Sequence, residues 1–347
     1  KKTINFYNKE CDKAILLDEK DRLNAISNDA ANISWSRSLK SDLLKIKKMI
    51  FESESLIISR YRPFTKTWMY FNRQINEMVL LNDKIFPVSL DGNIAITITG
   101  LGGKKGFSTI MSDAISDFNS MDAGAQCFPL YIYNEANERE CAISDEGMEY
   151  FKKSYPSGSF SKEDIFYYIY GILHSEDYRN RFADNLSKEL PRIPCVRELD
   201  DFWLFSNAGR KLSDLHLKYE KNELYKADID TGSLSYSQLS KDDFYVEKMK
   251  FAKKGEKGTV IYNNKIRIKN IPIEAYDYIV NGKPALEWVM ERQGVSTHKD
   301  SGIVNDANDW AIETMDNPRY PLELFLRVIT VSLETQKIVN SLPKLDI

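Results

Sequence analysis

Strand-like and helix-like patterns alternate along the whole chain of 347 residues. The clearest strand is the alternating stretch 93–99, which leads directly into the glycine-rich turn 100–106. A helical pattern follows, in which Ser161 and Asp164 form a capping-box signature that opens a helix through His174. Because neither pattern dominates, we predict a mixed α+β fold.

The other patterns divide the elements between two sheet-containing lobes. Helices are predicted at 3–26, 38–49, 176–190, 198–222, between Pro272 and Gly282, from Pro284 through Gln293 and at 320–341, and strands at 55–61, 67–71 and 127–133, with short strands across 226–270. We therefore predict a helical connector over residues 1–50, a first α/β lobe over 51–195 and a second α/β lobe with a C-terminal helix over 196–347. The middle of the chain, like both terminal segments, is predicted to be helical.

Charge is unevenly distributed, although the formal net charge is only −3. Residues 1–110 carry +6 and residues 244–299 carry +5, whereas residues 111–243 carry −10 and residues 300–347 carry −4. A protein that holds an anionic rod needs local positive surface rather than a positive total. Ordinary fluctuation along a globular chain accounts for the same pattern, so charge leaves both interpretations open.

Several functional classes lack support in the sequence. No stretch approaches the roughly 20 apolar residues of a membrane span. The 4 cysteines show no C-x-x-C spacing and the 3 histidines are isolated, which predicts neither a metal site nor a disulfide framework and fits a reducing cytoplasm. There is no G-x-S-x-G motif, no helicase ATP-hydrolysis motif and no Asn/Asp-Pro-Pro-Tyr run, so we predict that this chain is not itself an enzyme.

The glycine-rich turn invites comparison with phosphate-binding loops. Lys105 is followed by Gly106 rather than by Ser or Thr, and Lys105 also stands where G-x-G-x-x-G requires its third glycine. A catalytic domain with a nucleotide site at this turn is therefore the least supported hypothesis. A basic loop that approaches a DNA phosphate through Lys104 and Lys105 and a plain tight turn remain equal alternatives.

Cationic and aromatic side chains interleave over residues 59–73. Arg60, Arg62, Lys66 and Arg73 alternate there with tyrosine, phenylalanine and tryptophan. Arginine can grip phosphate or bind guanine bidentately, and aromatic rings pack or stack. A core strand whose long cationic side chains extend to solvent accounts for the same composition, so both interpretations remain open.

The same segment carries a family resemblance. Tyr61-Arg62-Pro63-Phe64-Thr65-Lys66-Thr67-Trp68-Met69-Tyr70-Phe71 resembles the Y-R-P-F-x-x-x-W-x-Y-F/Y signature of the C-terminal specificity region of Type ISP enzymes, which are single-chain, ATP-dependent bacterial restriction-modification enzymes. Further matching segments lie at 33–39, 122–129, 164–174, 190–194, 282–288, 301–306 and 317–320. The resemblance covers almost the whole chain, and none of its segments is a catalytic motif.

The resemblance implies that this chain is part of a longer polypeptide, with a nuclease, a helicase-like ATPase and an adenine-N6 methyltransferase upstream. Those domains would bind S-adenosylmethionine, ATP and Mg, and no cofactor is expected in this chain. Residues 1–50 would connect to the methyltransferase. The remainder would hold double-stranded DNA, read a short sequence and present one adenine for extrusion into the methyltransferase.

Side-chain chemistry supplies the candidate DNA contacts, because no residue-level contacts carry over from the resemblance. Phosphate contacts are predicted for Arg60, Arg62, Lys66, Arg73, Lys104, Lys105, Lys253, Lys254 and Lys257. Base contacts are predicted for Arg292, His298 and Lys299, and Arg37 is a further candidate contact. The alternative is a scaffold in which the helices at 3–26, 38–49 and 320–341 dock the methyltransferase and the motor while DNA is read elsewhere.

Overall fold

The computed structural model describes residues 1–88, 90 and 92–347. The helices are α1 (Lys2–Ala14), α2 (Glu19–Arg22), α3 (Arg37–Leu44), α4 (Asn82–Ile85), α5 (Asp145–Ser154), α6 (Lys162–His174), α7 (Glu176–Arg181), α8 (Ala183–Leu186), α9 (Leu199–Leu217), α10 (Ala285–Arg292), α11 (Ala307–Asp309) and α12 (Tyr320–Asn340). The strands are β1 (Leu56–Arg62), β2 (Thr65–Tyr70), β3 (Ala95–Ile98), β4 (Thr109–Ser112), β5 (Gln126–Pro129), β6 (Tyr131–Tyr133), β7 (Arg139–Cys141), β8 (Asp228–Asp230), β9 (Lys250–Lys253), β10 (Glu256–Ile261), β11 (Arg267–Lys269), β12 (Ile279–Val280), β13 (Lys283–Pro284), β14 (Val295–Thr297) and β15 (Val304–Asp306).

These elements confirm the predicted mixed α+β fold and belong to two compact units. The first unit comprises Lys1–Ile58, Trp68–Asp91 and Ser296–Asn305. The second comprises Ser59–Thr67, Gly92–Val295 and Asp306–Ile347. The domain boundaries predicted near residues 50 and 195 stay predictions.

The first unit is built on α1 and α3. Ile4, Tyr7 and Cys11 lie on one face of α1 at helical spacing, and they pack with Leu39 and Leu43 of α3. The prediction of one helix over 3–26 is wrong, because the chain leaves the helical conformation after α1 and resumes it only briefly in α2. The Arg22 side chain helps to hold this arrangement, since it donates hydrogen bonds to the carbonyls of Ala14 and Leu44 at 3.2 and 2.6 Å.

The second unit contains a helical core and a sheet core. In one, α6 and α9 pack with the antiparallel sheet β4-β3-β5. In the other, α10 and α12 pack with the antiparallel sheet β8-β11-β10-β9. The predicted capping box is confirmed, since the Ser161 side chain accepts a hydrogen bond from the Asp164 amide while the Asp164 carboxylate accepts one from the Ser161 amide.

Three further element predictions are wrong in instructive ways. The helix predicted over 176–190 is two short helices, α7 and α8, and the strand predicted over 127–133 divides into β5 and β6. Between Pro272 and Gly282 the chain forms only the 3₁₀ turn Ile273–Tyr276 and then β12. Asn281 and Gly282 both have positive φ, 50° and 79°, and they close the two-residue hairpin that joins β12 to β13. Asn-Gly is the strongest short hairpin signal, and the sequence prediction missed it.

A buried polar chain connects the two cores. The Tyr170 hydroxyl accepts a hydrogen bond from the Met111 amide at 2.8 Å and bonds His216 Nδ1 at 2.6 Å, and His216 Nε2 lies 2.9 Å from Thr335 Oγ1. Burial, with a smaller effect from the charge of Arg60, lowers the pKa of His216 to about 3, so the ring is neutral at physiological pH. This buried histidine therefore has a packing role.

Helices α6 and α9 approach each other so closely that glycine is required at the crossing. A Cβ atom at Gly171 would lie 2.2 Å from the Phe205 carbonyl oxygen, and one at Gly209 would lie 1.9 Å from that of Tyr167. Since both obstructing atoms are backbone atoms of the partner helix, neither can move aside like a side chain.

We therefore predict that Gly171→Ala or Gly209→Ala lowers the free energy of unfolding by about 3 kcal/mol, measured by chemical denaturation. Gly147→Ala in α5 is the matched control, because its Cβ atom would have nearest neighbours at an ordinary 3.5 Å. That substitution should stabilise the helix by roughly 0.5 kcal/mol. Equal effects of the three substitutions would contradict this account of the crossing.

Candidate nucleic-acid interface

A cleft of about 270 Å³ in the second unit is lined by four cationic side chains from three separate parts of the chain. They are Arg62 at the end of β1, Lys105 in the glycine-rich turn, Lys283 in β13 and Arg292 at the end of α10. The lining also includes Asn119, Met121, Asp122, Ala123, Asn281, Trp288 and Glu291. Both positive segments of the sequence, 1–110 and 244–299, thus contribute to one concave surface.

Three of these cations lie close to the indole ring of Trp288. Lys283 Nζ lies 4.2 Å from the centre of the indole, and Arg292 and Lys105 lie at 5.9 and 6.0 Å. The indole is buried and its Nε1 donates a hydrogen bond of 2.7 Å to the Val280 carbonyl, which fixes the ring against the β12–β13 hairpin. Attraction to the ring face partly offsets the mutual repulsion of the three cations.

The Asp122 carboxylate fixes the glycine-rich turn at the edge of the cleft. One carboxylate oxygen accepts hydrogen bonds from the backbone amides of Lys104 and Lys105 at 2.5 and 3.0 Å. The bond from the Lys105 amide is the largest cause that lowers the pKa of Asp122 below its usual value. In a phosphate-binding loop, backbone amides of this kind bind the phosphates of a nucleotide. Here Asp122 already binds them, so the groups of this turn that are available to an anion are its lysine side chains.

Asp122 also connects this turn to the β12–β13 hairpin. The Asp122 amide donates a hydrogen bond of 2.8 Å to Asn281 Oδ1, and the Asn281 amide donates one of 2.9 Å to Ser108 Oγ. The aliphatic part of Lys105 lies directly over Gly282, where an added Cβ atom would come within 2.7 Å of the Lys105 Cβ atom. Gly282 therefore allows both the left-handed turn and the close approach of the Lys105 side chain to the β12–β13 hairpin.

The two arginines of the cleft meet around Tyr61. Arg62 lies over the Tyr61 ring at 4.0 Å and Arg292 lies 5.8 Å from it. Arg62 Nη1 donates a hydrogen bond to Asp117 Oδ1 at 2.7 Å, so its guanidinium is already held in position. A cation held in position in this way loses little side-chain entropy when it binds an anion.

Two predicted phosphate contacts, Arg60 and Lys66, point into the protein instead. The Arg60 side chain is only 1% exposed, and its Nε donates a hydrogen bond to Ser112 Oγ at 3.1 Å. Lys66 is 15% exposed and forms an ion pair with Glu220 at 2.8 Å. Both lie near the ring of Tyr219, at 5.7 and 5.4 Å, so these two cations of the basic-aromatic segment stabilise packing.

The remaining candidates lie outside the cleft lining. Lys104 is exposed on the same turn as Lys105. Lys253 and Lys254 are exposed on the β9–β10 hairpin, and Lys257 forms an ion pair with Glu287 at 2.9 Å. The other four candidates belong to the first unit. Arg37 forms an ion pair with Glu77 at 3.5 Å, and Arg73 forms one with Asp83. The His298 Nδ1 atom lies 3.1 Å from Ser301 Oγ, and Lys299 is exposed.

Sequence reasoning missed Lys283, although this residue has the shortest contact with the indole. The available signal was the Asn281-Gly282 dipeptide, which predicts a hairpin and would have placed Lys283 directly after its turn. The Asn119 amide, which also lines the cleft, was missed because it follows no recognisable pattern.

Metal centres and membrane spans each have a recognisable structural signature. Among residues 1–88, 90 and 92–347, no group of three or more His, Cys, Asp or Glu side chains is placed to hold a metal ion. Within the same residues, no helix combines the length and the apolar character needed to cross a bilayer.

Comparison with known families assigns the chain to a family. The family profile described as the Type ISP C-terminal specificity domain matches residues 1–324, so the chain belongs to this family. The resemblance noted in the sequence is thereby confirmed. A search of curated proteins gave no match.

Three solved structures are similar over essentially the whole chain. The first is a nuclease-deletion mutant of the Type ISP restriction-modification enzyme LlaGI in complex with a DNA substrate mimic, with 38% identity and a TM-score of 0.86. The second is the ATP-dependent Type ISP restriction-modification enzyme LlaBIII bound to DNA, with 34% identity and a TM-score of 0.85. The third is a DrdV–DNA complex, with 29% identity and a TM-score of 0.82. They match 100%, 100% and 99% of this chain, which spans 30%, 21% and 33% of theirs.

We predict that Asp122→Ala loosens the glycine-rich turn without unfolding the protein. Loss of two partly exposed bonds to a carboxylate should cost about 1 kcal/mol locally and speed amide hydrogen exchange at Lys104 and Lys105. Folding lowers the pKa of Asp122, so the ionised carboxylate stabilises the turn fully at any pH above its ordinary pKa of 3.8. This stabilisation is lost as the pH falls through the lower pKa that Asp122 has in the folded protein. Unchanged exchange at both amides in the variant would contradict the role of Asp122.

Proposed function

We propose that this chain recognises a short sequence in double-stranded DNA on behalf of catalytic domains elsewhere in a longer polypeptide. The observation that carries the proposal is the cleft in which Arg62, Lys105, Lys283 and Arg292 converge. Cationic side chains from distant parts of the chain meet there on one surface, as an anionic ligand requires. Family membership and the DNA in the similar solved structures support the same function.

The cleft has components suited to both parts of DNA recognition. Lysine binds phosphate as a point charge, whereas arginine and asparagine match guanine and adenine edges bidentately. Lys105 and Lys283 are therefore assigned to phosphates, and Arg292 and Asn119 to base edges. Arg62 is assigned to positioning the duplex, because Asp117 already binds part of its guanidinium.

The chemistry is proposed to lie outside this chain. An upstream methyltransferase would receive the adenine that this chain presents, and helicase-like and nuclease domains of the same polypeptide would act on the bound DNA. S-adenosylmethionine, ATP and Mg would bind to those domains. The chain would recognise DNA without catalysing a reaction, and its free thiols are compatible with the cytoplasm.

We predict that Lys105→Ala and Lys283→Ala each weaken duplex binding roughly fivefold, about 1 kcal/mol. Each should also reduce the log–log salt slope by about 0.9, because one fewer phosphate is neutralised. Fluorescence anisotropy on a labelled mixed-sequence duplex at several salt concentrations measures both quantities.

The matched control is Lys337→Ala in α12, which removes the same charge from an exposed surface ion pair outside the cleft lining. An equal loss of affinity in this control would mean that only net charge matters. Unchanged slopes in both cleft variants would remove the cleft from the interface.

We predict that a chimera in which this chain replaces the matching region of LlaGI modifies a different DNA sequence from LlaGI itself. The sequence modified should follow the exchanged region, because base contacts and not phosphate contacts carry sequence information. Sequencing of modified bases in DNA treated with the chimera identifies the new site.

The control chimera restores the LlaGI region with the same junctions and should modify the original site. If the first chimera still modifies the LlaGI sequence while the parent enzyme of this chain modifies another, this chain acts as a scaffold between other domains. Selection of randomised duplexes by the chain alone provides a second readout, in which enrichment of no sequence would count against recognition.

A further inference from the structure

The Glu291 carboxylate occupies the centre of the cation cluster in the cleft. One of its oxygens pairs with Lys283 Nζ, and the other lies 2.7 Å from Arg292 Nη2. Glu291 is thus an anion that already holds two of the side chains assigned to DNA. An internal carboxylate and an external phosphate oxygen are both anionic partners for these two cations.

The electrostatics show that this carboxylate is held as an anion but stays accessible. Burial alone would raise the pKa of Glu291, yet the hydrogen bond from Lys283 and the charges of Arg292, Lys283 and Lys105 outweigh it and lower the pKa. The Glu291 side chain is nevertheless 43% exposed, and ion pairs at that exposure are weak and readily exchanged.

Arg292 also keeps one donor unused. Its Nε lies buried without a hydrogen-bond acceptor among the residues that the structure describes, while Nη2 binds Glu291. The Arg292 side chain as a whole is 28% exposed, so displacement of Glu291 would leave part of its guanidinium available to a guanine edge. Glu291 thus competes with DNA for this guanidinium.

We propose that in the free chain Glu291 occupies the position of the DNA phosphate assigned to Lys283, and that duplex binding displaces it from Lys283 and releases Arg292 for a base edge. The inference rests on the proposed DNA-binding function. Glu291 lowers the sequence-independent part of the affinity, which comes from phosphates, and so makes stable binding depend on base contacts. It is in this sense a residue that determines specificity.

The test compares Glu291→Gln and Glu291→Ala with the wild-type chain in binding to a mixed-sequence duplex. Both variants should bind roughly fivefold more tightly, since they free two cations from an exposed ion pair. The log–log salt slope should become steeper by up to about 0.9, because an additional phosphate is neutralised. Circular dichroism confirms folding before binding is compared.

The control is Glu149→Gln in α5, which gives the same change in net charge from a surface pair with Lys152 outside the cleft lining. Binding by the Glu291 variants that equals this control, or that is weaker than wild type, would overturn the inference. If Lys283→Ala and Arg292→Ala still weaken binding in that case, the proposed function stands without it. If those two variants have no effect either, the assignment of DNA to the cleft fails as well.

Discussion

The bond between the Asp122 carboxylate and the glycine-rich turn is the interaction on which the cationic cleft depends. It orders the backbone at Lys104 and Lys105, while the Asp122 amide bonds the side chain of Asn281 and so ties this turn to the next hairpin. Like charges do not gather unless the fold holds them, because their mutual repulsion opposes it. The hydrogen bonds of Asp122 and the Trp288 indole provide that restraint.

The basic-aromatic segment shows how one sequence motif divides between structure and function. Arg60 and Phe64 are buried, Lys66 is nearly so, and these residues pack around Tyr219. Arg62 alone among the cations of this motif reaches the cleft. The basic-aromatic segment therefore contributes mainly packing that positions the cleft, and only partly side chains that line it.

Local signals in the sequence predicted the elements well, and long-range contacts explain what was missed. The capping box at Ser161 and the alternation in 93–99 are local, and both predictions are confirmed. The inward direction of Arg60 was not predictable, because its partners Ser112 and Asp113 lie far along the chain. The contacts that bring cationic side chains together in the cleft are also long-range. Composition could therefore indicate Arg62, Lys105 and Arg292 as candidates, but it could not predict that they lie close together in the fold.

The cleft is assembled from parts of the chain that are synthesised at different times. Arg62 and Lys105 leave the ribosome before the hairpin and helix that carry Lys283 and Arg292. A nascent or prematurely terminated chain that stops before residue 283 lacks Trp288 and two of the four cationic side chains that line the cleft. Such an incomplete product has no finished cationic surface, so the cleft can form only after the β12–β13 hairpin and α10 have been synthesised.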